Sequence, residues 1–71
     1  MESIMKEYEL ILETGYHKKT KYSADIIYLI LIINFDNNHQ EFLVKNNYTG
    51  NEIKFNNYHS ALTYFQSLIN E

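Results

Sequence analysis

The hydrophobic and polar positions along this chain change period twice, and the changes mark its elements. In Glu7–Thr14, Tyr8, Leu10 and Leu12 alternate with Glu7, Glu9, Ile11 and Glu13. This period-two pattern with one apolar exception predicts a strand ending at Gly15. A helix competes for residues 3–13, because Ile4, Tyr8, Ile11 and Leu12 also share a 3.6-residue face behind Ser3 as a candidate N-cap. Tyr16–Ser23 is polar and cationic and reads as a loop. Asp25–Phe35 is the strongest strand, with five Ile and one Tyr among the eight residues Ile26–Ile33. Asp36-Asn37-Asn38 supplies turn chemistry. Gln40–Asn46 returns as a strand, with Phe42 and Val44 on one face and Glu41, Leu43 and Lys45 on the other. Thr49-Gly50-Asn51 turns the chain again, and Glu52–Phe55 forms a short last strand. Asn56-Asn57 offers an N-cap. A helix follows over about Tyr58–Asn70, where Ala61, Leu62, Phe65, Leu68 and Ile69 make one apolar stripe opposite His59, Ser60, Thr63 and Gln66.

The order β-β-β-β-α predicts an α+β domain: an antiparallel four-stranded sheet with one C-terminal helix packed on one face. Residues 1–71 form a single domain, with no repeat, linker or low-complexity tail. The central strand raises a difficulty. One of its faces carries Ile26, Tyr28, Ile30 and Ile32, and the other Ile27, Leu29, Leu31, Ile33 and Phe35. Both are apolar, whereas a sheet with one wet face alternates apolar and polar. One helix shelters one face. The second, with Tyr28, Ile30 and Ile32 at its centre, therefore reads as a self-association or core face. It is covered by an N-terminal helix, by a second copy in a two-fold homodimer, by a host protein, or within one monomer by sheet twist, the Tyr16–Ser23 loop and Met5. The homodimer and the self-covered monomer carry equal weight.

Size sharpens the difficulty. A chain of 71 residues buries only about 60% of its unfolded surface. It has no cysteine, which removes disulfides, thiolate zinc sites and iron–sulfur clusters as staples. Stability must come from an apolar core or a partner. Hydrophobic residues make up 45% of the chain, with seven Tyr and four Phe. There is no Pro, Trp or Arg, and the Asn, Ile, Lys and Tyr usage points to an AT-rich genome, that of a low-GC bacterium or its phage.

Candidate chemistry is sparse. His17, His39 and His59 fall on a loop, a turn and a helix, without the converging spacing of metal ligands. His39-Gln40-Glu41 matches the H-x-E of zinc deaminases but lacks the partner Pro-Cys-x-x-Cys. No serine sits in a nucleophile elbow, and neither glycine lies in a phosphate-binding loop. Asn47-Tyr48-Thr49 is a glycosylation sequon with no secretory signal before it. The expectation is a non-enzymatic protein with no cofactor and no metal. An acidic Met1-Glu2-Ser3 start, and an apolar run far short of the roughly 20 residues that span a bilayer, predict a cytoplasmic protein without a membrane partner.

Two binding readings remain. Lys18, Lys19 and Lys21, bracketed by Tyr16 and Tyr22, could hold phosphates and stack bases. In element order the chain resembles the transcriptional coactivator PC4 fold family, a resemblance that implies dimerisation and single-stranded DNA binding. The net charge of −3 and the absence of Arg weigh the other way. In profile the chain is similar to the accessory proteins of phages and mobile elements, including anti-CRISPR inhibitors. That resemblance implies a steric inhibitor of a host protein, contacting it through Glu7, Glu9 and Glu13 on one strand face and through Tyr16 and Tyr22. Protein binding is the favoured reading.

Overall fold

The computed structural model describes residues 7–17, 23–36 and 38–69. It is an α+β domain with four antiparallel strands in one sheet, in sequence order, followed by a helix packed on the sheet. The strands are β1 (Glu7–Tyr16), β2 (Ile26–Asn34), β3 (His39–Asn46) and β4 (Asn51–Phe55), and the helix is α1 (Tyr58–Ile69). A short 3-10 turn, Ser23–Asp25, leads into β2.

Each reversal has a local cause. Between β2 and β3, Asn38 takes the left-handed conformation (φ 57°), which Asn tolerates better than most residues. Asn34 Oδ1 accepts the Asp36 amide at 3.0 Å. Between β3 and β4, the buried Asn46 side chain accepts the amides of Tyr48 at 2.9 Å and Thr49 at 3.3 Å, while its carbonyl accepts the Gly50 amide at 2.7 Å. Gly50 sits at φ 82°, the backbone state for which glycine is the natural choice. Asn57 caps α1: its Oδ1 accepts the Ser60 amide at 2.8 Å.

The core lies between sheet and helix. Ile27, Leu29, Val44, Ala61 and Phe65 are buried there, and Leu12, Phe42, Phe55, Leu62, Tyr64, Leu68 and Ile69 pack around them. The expected helical stripe is the buried one, and His59, Ser60, Thr63 and Gln66 face solvent.

The predicted strand holds in β1, and two details of it change. The segment is a strand from Glu7 onward, so the helical alternative for residues 3–13 fails over Glu7–Glu13; residues 1–6 lie outside the described residues. Gly15 does not end the strand, which continues to Tyr16, with Gly15 opposite Ile27. The register also shifts between Ile11, which faces Ile30, and Glu13, which faces Leu29. A β-bulge at Leu12 accounts for this shift, since two residues of β1 then oppose one of β2. Tyr8, Leu10 and Leu12 keep the helix side of the sheet, as the alternation predicts. Glu13 is moved to that side as well, so it does not share a face with Glu7 and Glu9.

Candidate protein-binding surface

The face of the sheet away from α1 is ordered in cross-strand rows. Glu9, Ile32 and Glu41 make one; Ile11, Ile30, Leu43 and Lys54 the next; Thr14, Tyr28, Lys45 and Glu52 the third. Ile30, Ile32 and Leu43 cluster, with Tyr28 against them, and each of the three keeps only 6% of its surface exposed. The charged ends of β3 and β4 pair across this face. Lys54 Nζ is 3.6 Å from Glu41 Oε1, Lys45 Nζ is 3.9 Å from Glu52 Oε2, and His39 Nε2 is 3.4 Å from Glu41 Oε2. The second face therefore has an apolar centre, as its sequence predicts. Yet Ile30 and Ile32 are already out of water in a single chain and need no second copy for that. Met5 and most of the Tyr16–Ser23 loop, expected as cover, lie outside the described residues.

At the edge of this face Ile11 is 55% exposed, and more bare apolar surface lies on the other side of β1. On the helix side of β1, Tyr8 stands opposite Ile33 and Leu10 opposite Leu31. Tyr8 is 45% exposed, Leu10 44%, and Phe35, just beyond β2, 58%. Geometry explains the gap. A helix of 12 residues is about 18 Å long, whereas a strand of 10 residues runs about 33 Å. The helix crosses the sheet obliquely. At its start Tyr58 meets the edge of Phe42, with ring centroids 5.8 Å apart, and at its end Ile69 packs on Gly15. The corner holding Tyr8, Leu10, Leu31 and Ile33 falls outside that diagonal.

This corner adjoins an open edge. β1 is the first strand of the sheet, and no other described strand pairs with its outer side. Its first five residues, Glu7–Ile11, keep a regular register before the bulge. Along them Glu7 and Glu9 take the far face, Tyr8 and Leu10 the helix face. Glu7 lies opposite Asn34 and Glu9 opposite Ile32, and among the described residues neither has a basic side chain within ion-pair distance. This contrasts with Glu41 and Glu52 on the same face. Glu9 and Ile11 also border an open depression of about 380 Å³, with Tyr28, Ile30, Lys45 and Asn47 on its other sides.

The residues expected to make contact are thus only partly brought together. Glu7 and Glu9 are neighbours on the open edge. Glu13 is exposed on the opposite side of the sheet. Tyr16 is exposed at the other end of β1, nine positions from Glu7 and roughly 30 Å away along an extended strand. Tyr22 and the lysines of the nucleic-acid reading, Lys18, Lys19 and Lys21, lie outside the described residues. Tyr8, Leu10 and Phe35 were not expected to be exposed. The signal for them is the mismatch in length between the last helix and the first strand.

Among the described residues no group of three His, Asp or Glu side chains is placed to hold a metal ion, and no helix is long and apolar enough to cross a membrane. No protein-family model, curated protein or solved structure matches this chain. The molecule's own geometry therefore carries the functional reading, and what it establishes is a small α+β domain whose first strand bears exposed acidic and apolar side chains and, among the described residues, has no strand on its outer side.

Proposed function

We propose that the chain is a non-enzymatic protein-binding module that takes its partner along β1. The observation that carries this reading is the exposure of Tyr8 and Leu10 beside a strand edge that no other described strand pairs. Apolar side chains left in water each forgo roughly 1.5–3 kcal/mol of burial, and clusters of them on small domains commonly mark interaction sites. Glu7 and Glu9 flank the same stretch and add polar contacts. Of the contact residues expected from sequence, Glu7 and Glu9 fit this surface, and Tyr8 and Leu10 join them.

The biological setting that fits best is that of a phage or mobile-element accessory protein, an inhibitor that blocks a host protein sterically. Its support is compositional: a short, acidic, Tyr- and Asn-rich chain whose commonest residues are those with AT-rich codons. Such a protein acts in the cytoplasm and needs no cofactor.

The test is affinity capture from lysates of AT-rich bacterial hosts, comparing the native chain with Leu10→Asp. Leu10 is exposed, so the substitution leaves the core intact. The reading expects one protein retained in stoichiometric amount by the native chain and lost from the variant. Equal retention by both, or no stoichiometric protein at all, contradicts it.

A further inference from the structure

We infer that the occupant of the β1 edge is an extended, basic segment of another protein, alternating Lys or Arg with apolar residues and added to the sheet as a fifth strand beside Glu7–Ile11. This rests on the protein-binding reading and names the chemistry of the partner.

Three observations converge on that occupant. The first is the edge itself. A strand with no described neighbour on one side presents unpaired N–H and C=O groups from alternate residues, a template for an added strand. The regular stretch is limited to Glu7–Ile11, because the bulge at Leu12 interrupts the ladder. The second is the two-sided pattern. Residues directly opposite one another share a face of the sheet, so the added strand sets alternate side chains against Tyr8 and Leu10 on the helix side and the others against Glu7, Glu9 and the exposed Ile11, the last of which the stem of a Lys can cover. The first set must be apolar to cover Tyr8 and Leu10, which are nearly half exposed.

The third is charge. Two acidic residues of β3 and β4, Glu41 and Glu52, are already matched by Lys54 and Lys45. Glu7 and Glu9 have no such match among the described residues, and the residues opposite them on β2 are the neutral Asn34 and Ile32. An opposite charge in the facing strand completes the row, whereas like charges directly opposite are destabilising. This weighs against two registers of the simplest competitor, a second copy paired through β1; a register with its axis at Leu10 sets Glu9 against Ile11 and is left to the test below. A two-fold axis at Tyr8 sets Glu7 against Glu9 of the other copy, and an axis at Glu9 sets Glu9 against itself.

The experiment titrates the full chain with three short capped peptides of equal length while following its backbone amide resonances. One alternates Lys with Val. One alternates Glu with Val. The third alternates Lys with Pro, keeping the cations while removing every second backbone donor and fixing φ at about −65°, which spoils the extended-strand fit. The inference expects the Lys–Val peptide to shift the amides of Glu7–Ile11, with an affinity that falls several-fold on raising the salt. It expects the other two to bind at least about tenfold more weakly, the scale of two charge pairs turned from attraction to repulsion or of a lost ladder. Equal binding by Lys–Pro overturns strand addition, since bare electrostatics then suffices. Equal binding by Glu–Val at the same amides overturns the basic occupant and leaves the protein-binding reading standing. A chain that is dimeric by light scattering, with β1 amides that move on dilution, overturns both. If no peptide shifts β1, the basic fifth strand is wrong, and capture by the native chain but not by Leu10→Asp then shows that a differently shaped partner uses the surface.

Discussion

Gly15 and Ile69 meet at the place where the helix ends against the sheet. A Cβ built on Gly15 falls 3.0 Å from Ile69 Cγ2 and 3.1 Å from its Cδ1. The glycine therefore serves close approach: the last turn of α1 closes onto β1 only where the strand has no side chain. This contact sets the diagonal of the helix, and the diagonal leaves the Tyr8 and Leu10 corner bare. Gly15→Val is expected to destabilise the fold by about 1–3 kcal/mol through overpacking. Adding Ile69→Ala is expected to return part of that loss, and a double-mutant cycle by chemical denaturation measures the coupling. Strict additivity would contradict the contact.

The other end of the helix depends on one hydrogen bond. Asn57 Oδ1 is the cap of the Ser60 amide. Asn57→Ala is expected to cost about 1 kcal/mol, whereas Asn57→Asp retains the acceptor and most of the stability. Thermal unfolding of the two variants checks the order.

The bulge makes a prediction that simple alternation does not. Leu12 packs against the core cluster, while Glu13, on the same side, is exposed. Leu12→Ala is expected to cost about 1–2 kcal/mol, for a side chain only partly buried. Glu13→Ala is expected to stay within about 0.5 kcal/mol. A large effect of Glu13→Ala would place its side chain in the wrong surroundings.

On the face away from the helix, Ile30 and Ile32 are buried within one chain. Ile30→Ala is therefore expected to destabilise by about 2–4 kcal/mol at every protein concentration. The midpoint of unfolding should not move between micromolar and millimolar chain, because no second copy is needed to bury these residues. A midpoint that rises with concentration would show that association contributes to their burial.

Much of this fold is legible in the residues themselves. β2 is extended because Ile26–Ile33 is too rich in branched side chains to prefer a helix. The Asn- and Gly-bearing turns fall where those residues tolerate φ > 0. The Ala61, Leu62, Phe65, Leu68 and Ile69 stripe fixes the buried side of α1. What is not legible depends on partners distant in sequence. Nothing local marks Leu12 as the bulged residue, since Tyr8, Leu10 and Leu12 alternate without interruption and only pairing with Leu29 and Ile30 reveals the slip. Gly15 resembles a strand terminator until Ile69, fifty-four positions later, is seen against it. The proposed surface is half legible: Glu7 and Glu9 fall on one face by the strand pattern, whereas the exposure of Tyr8 and Leu10 follows from the reach and angle of a helix at the other end of the chain.

Amide hydrogen exchange on the isolated chain at low concentration tests the open edge most directly. The outward-directed amides of alternate residues in Glu7–Ile11 should exchange far faster than those of Leu29 and Ile30 in the central strand, and should slow when a strand is added beside them. If the whole of Glu7–Ile11 is already as protected as β2 in the chain alone, the edge is occupied from within the molecule or by its copy, and β1 is not the place where a partner docks.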